Sequence, residues 1–251
     1  MLREGQKSAL KKLSNISNIN GKKILEIGGD LKHELADCLI DMGASHVTSI
    51  NISPKVSTQK VSDRLSIVNL DATKLLSHFE SETFDMVFGV AVLEHIHNTQ
   101  LLLDQIYSVL KPIGTALLHG GPIWTSAIGH HVWIEYDQKK YLFNDKTNPI
   151  PDWHHLILNF NEMIDFLTTK KNLKRQHAIQ VAKYIYKDTN LSRVSYLDYI
   201  NIFKQSKFRT IMIYEEYGKQ IPKHIMKKLK STHYKNQEDF EVIALQFIVE
   251  K

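Results

Sequence analysis

The segment that most constrains this chain is residues 23–29, KILEIGG, in which an apolar strand ends in an acid and two glycines. A run with helical character follows as far as Met42, so the pattern predicts a strand, a turn and a helix. Glycine has no Cβ, and such a turn lets backbone N–H groups and the start of a helix approach a ligand closely. One turn of this kind is a weak signal of a binding site.

Three later segments repeat this arrangement of a strand that ends in polar residues. They are residues 49–52 (SINI), 69–72 (NLDA) and 84–95 (FDMVFGVAVLEH). Strands and helices alternate along this part of the chain, and the alternation predicts a parallel sheet with helices on both faces. Ligands of such sheets bind beyond the carboxyl ends of the strands. The four strand ends together therefore indicate a ligand site far more specifically than any one of them.

On these residues the chain resembles the class I S-adenosylmethionine (SAM)-dependent methyltransferases, over roughly residues 20–120. The resemblance implies an α/β, Rossmann-like methyltransferase fold, which is a doubly wound and mostly parallel sheet of seven strands with helical and loop lid insertions. It also implies methyltransferase activity, with SAM as the cofactor.

The resemblance also assigns cofactor-binding positions. Glu26 and Gly28 match the acid and the first glycine of the family's first motif, and Asn51 stands where the family usually has an acid for the ribose hydroxyls. Asp71 and Ala72 match the segment that holds the adenine amino group. The full set of cofactor-binding residues predicted in this way is Glu26, Gly28, Gly29, Asn51, Asp71, Ala72, Val90 and Glu94.

Two features depart from the family's pattern. Asp30 and Leu31 follow the glycines where further small residues are common, and Asn51 can hydrogen-bond a ribose hydroxyl but supplies no charge. Structural alternatives also stand beside the functional ones. Glu26 can cap the following helix, Asp71 can be the N-cap of a helix near residue 73, and Asn51 can start a turn.

Histidine supplies the candidates for a catalytic base, because its pKa lies near neutrality. The chain has 13 histidines, and five of them either follow the fourth predicted strand or lie beside tryptophans in residues 120–155: His95, His130, His131, His154 and His155. His95 can instead fix its loop through a backbone hydrogen bond. The two pairs of adjacent histidines, His130–His131 and His154–His155, could hold a divalent ion together with Asp152 or Glu135. Adjacent residues of an extended chain point to opposite sides, however, so we predict no metal site.

Large side chains near these histidines have two interpretations. Trp124, Trp133 and Trp153 either form an apolar wall around the methyl acceptor or anchor loops to the core. Arg193 either places a cation over an anionic acceptor or is a solvated charge at the start of a helix.

The pattern predicts a single methyltransferase domain over residues 1–251. Residues 1–20 form an N-terminal helix, residues 120–207 form a loop and helical substrate cap, and residues 208–250 form edge strands. Within the cap, residues 120–155 are predicted to lack regular structure and to precede helices at 161–171, 176–188 and 195–206.

Composition narrows the classes of partner. The net charge is +5 and the pI is about 9.0, but the lysines are scattered and form no basic block, so we expect no nucleic-acid partner. The single cysteine, Cys38, excludes an internal disulfide. No secretory h-region and no membrane-length apolar run occurs, which predicts a cytoplasmic protein without membrane insertion. The oligomeric state is left open.

The acceptor we predict is an oxygen atom of a small molecule. Residues 120–160 are similar, less specifically, to methyltransferases of bacterial surface-polysaccharide assembly, which implies a sugar or a phosphorylated or phosphoramidate precursor of capsule. One alternative is an RNA methyltransferase, although the chain lacks the Asn/Asp-Pro-Pro-aromatic signature of enzymes that methylate a flipped base. The other is a non-catalytic SAM-fold binding or scaffold protein, whose only support is the interrupted glycine pattern and Asn51.

Overall fold

The computed structural model describes residues 4–237 and 239–251. Its strands are β1 (Lys23–Ile27), β2 (His46–Asn51), β3 (Gln59–Lys60), β4 (Leu65–Asn69), β5 (Phe84–Gly89), β6 (Leu110–Gly120), β7 (Trp133–Tyr136), β8 (Lys139–Leu142), β9 (Arg209–Tyr217) and β10 (Val242–Glu250). Its α-helices are α1 (Glu4–Ile16), α2 (Glu34–Asp41), α3 (Thr99–Val109), α4 (His154–Ile157), α5 (Phe160–Thr169), α6 (Arg175–Tyr186), α7 (Tyr196–Gln205) and α8 (Lys223–Leu229). Short 3₁₀ helices cover Ala72–Ser77 and Leu93–His95.

The main sheet has the strand order β3-β4-β2-β1-β5-β6-β10-β9. β1 pairs in parallel with β2 and β5, β2 pairs in parallel with β4, and β5 pairs in parallel with β6. This order confirms the predicted doubly wound, mostly parallel α/β sheet. The predicted number of strands was wrong, because the sheet has eight strands rather than seven.

The unpredicted strand is β3, which pairs antiparallel with β4. It lies between β2 and β4 along the chain. The pairing is local, since a tight turn at residues 62–65 folds the chain back on itself and the N–H groups of Val61 and Ser62 both donate to the Leu65 carbonyl. Both residues of β3 are exposed. A two-residue strand without buried side chains carries no hydrophobic periodicity from which it could be predicted.

The central strands are buried on both faces, as a parallel sheet covered by helices requires. In β1 the side chains of Ile24, Leu25 and Ile27 are buried, and in β5 all but one of the six residues are. This burial explains why both strands are nearly continuous apolar runs in the sequence. It also means that a polar side chain within them, such as Glu26, needs a specific reason to be there.

The chain divides into two compact units. The first unit comprises the described part of Met1–Gly120 together with Asn201–Tyr214 and Gln246–Lys251, and the second comprises the described parts of Gly121–Ile200 and Glu215–Leu245. In the first unit, apolar residues of α1 and α2 pack with the central strands. In the second unit, α5 and α6 pack around a separate apolar core. The single methyltransferase domain over residues 1–251 and the lid role of residues 120–207 remain predictions.

One local prediction needs correction. Residues 120–155 contain a hairpin, in which β7 and β8 pair antiparallel from Trp133 opposite Leu142 to Tyr136 opposite Lys139. Its two turn residues, Asp137 and Gln138, both have positive φ. Glycine usually occupies the second position of such turns, and Gln138 stands there instead, so the usual hairpin signal is missing from the sequence. The predicted N-terminal helix is α1, although residues 1–3 and the side chain of Ile16 lie outside the described part of the chain.

Candidate functional site

Glu26 is a buried acid in the middle of the sheet, with 2% of its surface exposed. It lies on β1 opposite Ser49 of β2 and Phe88 of β5. Burial raises the pKa of Glu26 to about 7; a hydrogen bond from Ser49 opposes this shift, and the charges of Asp30 and Asp37 add to it. The Oε2 atom of Glu26 is buried and has no hydrogen-bond partner among the described residues. A buried acceptor without a donor is costly, so this oxygen fits a donor that a ligand brings.

The residues that follow Glu26 form the glycine turn, residues 26–29. Gly28 has φ +80°, a conformation that favours glycine, and a Cβ there would lie 2.6 Å from Cγ1 of Val92. At Gly29 a Cβ would overlap the hydroxyl of Ser49 and lie 2.8 Å from Oε2 of Glu26. Gly28 is therefore required by its backbone conformation, and Gly29 by the packing around the acid.

Two N–H groups of the glycine turn have a partner within the protein. Those of Gly28 and Gly29 both donate to the carbonyl of Ile50, at 2.9 and 3.2 Å. These two N–H groups are therefore already satisfied within the protein, and an approach of the turn's backbone to a ligand remains a prediction. The unpaired carboxyl oxygen is a polar group left for a ligand.

Asn51, at the end of β2, uses both ends of its side-chain amide within the protein. Its Nδ2 donates to the Gly29 carbonyl at 2.6 Å, and its Oδ1 accepts from the Ser53 N–H at 2.7 Å. These bonds join the glycine turn to the turn after β2. An aspartate could not donate to the Gly29 carbonyl, which gives a physical reason for an amide at this position. Contact with the ribose remains a prediction.

Asp71 and Ala72 follow β4, the neighbour of β2. The Asp71 carboxylate accepts from the N–H and the hydroxyl of Thr73, both at 2.8 Å, and so caps the 3₁₀ helix. The structural alternative for Asp71 is thus observed. Ala72 is buried. A role for either residue in binding adenine stays a prediction.

Val90 and Glu94 belong to the turn that follows β5. Both are buried, and a Cβ at Gly120 would lie 3.0 Å from Oε2 of Glu94. The turn is held by His119 of β6, whose Nδ1 accepts from the Ala91 N–H at 3.2 Å and whose carbonyl accepts from the Val92 N–H. His119 was not among the predicted site residues, although its place at the end of a strand before two glycines was a usable signal.

The described residues at this edge of the sheet fit SAM. An unpaired buried carboxyl oxygen matches the amine and hydroxyl donors of that cofactor, and the glycine turn leaves no Cβ at Gly28. The carboxyl ends of β1, β2, β4 and β5 lie on one edge because these strands are parallel neighbours.

The five candidate histidines fall into different units. His95 lies in the first unit, is exposed, and ends the 3₁₀ helix after β5. The other four lie in the second unit. His131 is half-buried and packs edge-on against Phe143, and Nδ1 of His154 lies 3.1 Å from the Asp152 carbonyl.

His130 and His155 are buried together, with ring centroids 5.3 Å apart. Burial lowers the pKa of both, that of His155 to about 4, so both are neutral at pH 7. Nε2 of His155 lies 2.8 Å from the Trp124 carbonyl, and Nδ1 of His130 accepts from the Val132 N–H. The structure gives this pair a packing role, and a role as catalytic base remains a prediction for any of the five.

Two of the three tryptophans are anchors in the second unit. Nε1 of Trp153 donates to the Phe240 carbonyl at 3.0 Å, and Nε1 of Trp124 donates to the Tyr234 hydroxyl at 2.6 Å. Both are buried, whereas Trp133 is 56% exposed. A wall around the acceptor is thus unsupported for the two buried rings.

Charged residues of the second unit also have structural partners. The Arg193 guanidinium is half-buried and donates to the carbonyls of Ile185, Asp188 and Leu191, so it ties down its own loop rather than being a solvated charge. A role over an anionic acceptor remains a prediction. The two carboxylates considered for a divalent ion are paired with lysines: Asp152 with Lys219 at 2.7 Å and Glu135 with Lys140 at 3.9 Å.

Comparison with known proteins gives one family match. Residues 26–118 match the sequence profile of the methyltransferase domain. A sterol 4-C-methyltransferase of Caenorhabditis elegans is 31% identical over 103 residues, which are 38% of this chain and 30% of that protein. The chain thus spans under a third of this curated relative.

Solved structures match over nearly the whole chain. A SAM-dependent methyltransferase from Mesorhizobium loti has a TM-score of 0.58 at 14% identity, with 98% of each chain covered. One from Archaeoglobus fulgidus has a TM-score of 0.52 at 15% identity, covering 98% of this chain and 94% of that one. At these identities the likeness shows the fold alone. No helix among the described residues is long and apolar enough to cross a membrane, and the cytoplasmic location remains a prediction.

Proposed function

We propose, on the premise that this chain belongs to the class I SAM-dependent methyltransferases, that it transfers a methyl group from SAM to an oxygen atom of a small molecule. The family and the cofactor predicted from the sequence are confirmed by the methyltransferase-domain match over residues 26–118 and by the fold. The acceptor and the nucleophilic atom are proposals.

The observation that carries this proposal is the glycine turn with its buried acid. Glu26 keeps one carboxyl oxygen unpaired among the described residues, and Gly29 leaves room for it beside Ser49. Burying an acid without a full set of partners lowers stability, and such sites are characteristic of function. A bound ligand with N–H or O–H donors would remove that cost.

A small-molecule acceptor is supported by the sterol 4-C-methyltransferase relative. Within that class we favour a sugar or a phosphorylated or phosphoramidate precursor of bacterial capsule. This choice rests on residues 120–160, which are similar to methyltransferases of surface-polysaccharide assembly.

The chain's own residues have three tasks in such a reaction: they hold the cofactor, align the reacting groups and supply a base. SAM, when bound, supplies a methyl group that is already activated by its positive sulfur. Glu26 would hold the cofactor by accepting its hydrogen bonds, and alignment of the reacting groups can contribute about 7–11 kcal/mol. A hydroxyl acceptor also needs a base. We favour His95 among the five candidates, because it is exposed and lies in the same unit as Glu26.

The test is a turnover screen with the full chain, SAM, and a panel of nucleotide-activated sugars, phosphorylated sugars, capsule precursors, sterols and tRNA. We expect a methylated product from the sugar or phosphate group. His95→Ala should lower kcat on that acceptor by roughly 10²–10⁴-fold with unchanged affinity for S-adenosylhomocysteine.

His97→Ala is the matched control, because His97 is a second exposed histidine two residues away, and it should keep wild-type turnover. A product on tRNA alone would support the RNA alternative. Calorimetry without binding of either SAM or S-adenosylhomocysteine at millimolar concentration would support the scaffold alternative and overturn the proposal.

A further inference from the structure

Ser49 places a buried hydroxyl on β2, directly beside Glu26. The two residues are partners in the parallel pairing of β1 with β2, and each has 2% of its surface exposed. The next residues along this row of the sheet are Ile67 of β4 and Phe88 of β5, whose side chains have no polar atoms. Burying a hydroxyl in such a row is costly unless the group has a hydrogen-bond partner. The Ser49 hydroxyl therefore needs a partner close to it.

That partner is the Glu26 carboxyl group, and the missing side chain of Gly29 allows the contact. A Cβ at Gly29 would overlap the Ser49 hydroxyl and lie 2.8 Å from Oε2 of Glu26, so the hydroxyl and the carboxyl group meet in the space that this glycine leaves. The hydroxyl donates a hydrogen bond to the carboxyl group. Oε2 of Glu26 has no partner among the described residues, so Ser49 holds the carboxyl group and leaves that oxygen free.

The charges that act on Glu26 within the described part of the chain are both negative. They are those of Asp30, in the loop after β1, and of Asp37, in α2, and each raises the pKa of Glu26. The residues that flank Glu26 in the sheet, Ser49 and Phe88, are uncharged. Of the described groups that act on Glu26, the Ser49 hydroxyl is thus the one that favours the ionised carboxylate.

We propose that Ser49 is a positioning residue of the cofactor site, whose hydroxyl holds the Glu26 carboxyl group as an ionised acceptor and leaves Oε2 for a donor of the bound ligand. This inference deepens the proposed function and rests on it, since it takes SAM as the ligand of Glu26. A hydrogen bond to a carboxylate is roughly twice as strong as one to a neutral acceptor. The ligand therefore binds the ionised form more tightly, and at low pH its binding releases the Glu26 proton to the solvent.

The experiment is calorimetric titration of the full chain with S-adenosylhomocysteine, repeated from pH 5 to pH 8. For the wild type we expect the Kd to fall as the pH rises and then to level off. Ser49→Ala removes the hydroxyl without adding volume, and the midpoint of this change should move upwards by about one pH unit. At pH 7 the variant should bind roughly five-fold more weakly than the wild type, and the difference should narrow to about two-fold at pH 8.

Thr48→Val is the matched control. Thr48 is the neighbouring residue of β2 and is also buried, but its side chain points to the opposite face of the sheet. The variant loses a hydroxyl from the same strand and should keep the wild-type midpoint, whatever its effect on stability. Ser49→Thr retains a hydroxyl at position 49 and should also keep the wild-type midpoint. Circular dichroism checks that each variant is folded.

The outcomes distinguish a failure of this inference from a failure of the proposed function. The inference is overturned if Ser49→Ala keeps the wild-type midpoint, or if Thr48→Val moves it equally far, although wild-type binding would still support the proposed function. It is also overturned if Ser49→Ala weakens binding by the same factor at every pH, because the hydroxyl would then serve packing alone. If the wild type binds no S-adenosylhomocysteine at any pH, the proposed function fails and this inference fails with it.

Discussion

Glu26 in the first unit and His155 in the second are both buried ionisable groups, yet burial shifts their pKa values in opposite directions. The pKa of Glu26 rises to about 7, and that of His155 falls to about 4. In both cases the charged form loses its hydration. The acid is therefore half-ionised near pH 7 in the folded chain, whereas the imidazole is neutral there. Acidification removes stability through the second group, and alkalinisation removes it through the first.

The surroundings of the two groups show which one is suited to a ligand. His155 is enclosed by rings, since Trp124 and His130 stand edge-on to it at 4.8 and 5.3 Å. Glu26 lies instead beside two glycines whose missing Cβ atoms leave room for its carboxyl group and for the turn. Burial of an ionisable side chain is common to both regions. Backbone geometry built around the group distinguishes the candidate site.

The largest effect is expected for Glu26→Gln. Loss of a charged acceptor should weaken binding of S-adenosylhomocysteine roughly 10- to 100-fold. The pKa of Glu26 is higher in the folded state than its unfolded value of 4.5, so Glu26 contributes fully to folding stability below pH 4.5. This contribution, about 3 kcal/mol, is lost as the pH rises through about 7. The variant should therefore lose less stability than the wild type between pH 5 and pH 8 in urea unfolding.

Asp30→Asn is the control for this prediction, because Asp30 is an acid of the same loop whose carboxylate accepts from the Lys32 N–H. It should change the affinity by no more than about two-fold. Equal losses of affinity in the two variants would mean that general negative charge, rather than the buried acceptor, attracts the cofactor.

A somewhat smaller effect is expected for His155→Gln, measured as stability against pH. The depressed pKa makes the neutral imidazole stabilising above the ordinary pKa of 6.5, and this contribution is lost as the pH falls through about 4. In the wild type, His155 accounts for a loss of about 3 kcal/mol of folding stability over this range. The variant lacks this contribution and should lose only the stability that other groups lose on acidification. Urea unfolding from pH 7 to pH 4 measures the difference.

His154→Gln is the matched control, because His154 is adjacent in sequence but only half-buried. It should retain the wild-type acid slope. If the two variants lose the same amount of stability on acidification, burial of His155 is not the cause. Binding of S-adenosylhomocysteine at pH 7.5 should be unchanged in both, since their part in the structure is packing in the second unit.

The same contrast explains what the sequence could reveal. The apolar strand before Glu26 and the glycines after it are local signals, and they identified β1, its turn and the parallel sheet. The histidines near tryptophans were local signals as well. Whether a residue such as His130 is exposed or enclosed depends on contacts distant in sequence, however, and no spacing rule contains them.

Three further features escaped for identifiable reasons. The β7–β8 hairpin lacks the usual turn glycine, β3 has no buried face, and the contacts of Asn51 join two turns that are 22 residues apart. The family pattern predicts an acid at position 51. Only the folded structure shows that the Gly29 carbonyl lies beside this side chain and needs a hydrogen-bond donor, which an acid cannot supply.

The smallest effect is expected for Asn51→Asp, which sharpens the account of the glycine turn. If Asn51 serves to hold Gly29, the aspartate loses the donor to the Gly29 carbonyl and faces that oxygen with a charge, so stability should fall by about 1–2 kcal/mol and affinity for S-adenosylhomocysteine by a few-fold. Asn51→Ala, which removes both hydrogen bonds without adding a charge, should have a similar effect. If position 51 chiefly serves the ribose hydroxyls, the aspartate should instead bind the ligand more tightly than the wild type, and the alanine variant more weakly. Calorimetry on the three proteins separates these outcomes, because the two accounts predict opposite signs for the same substitution.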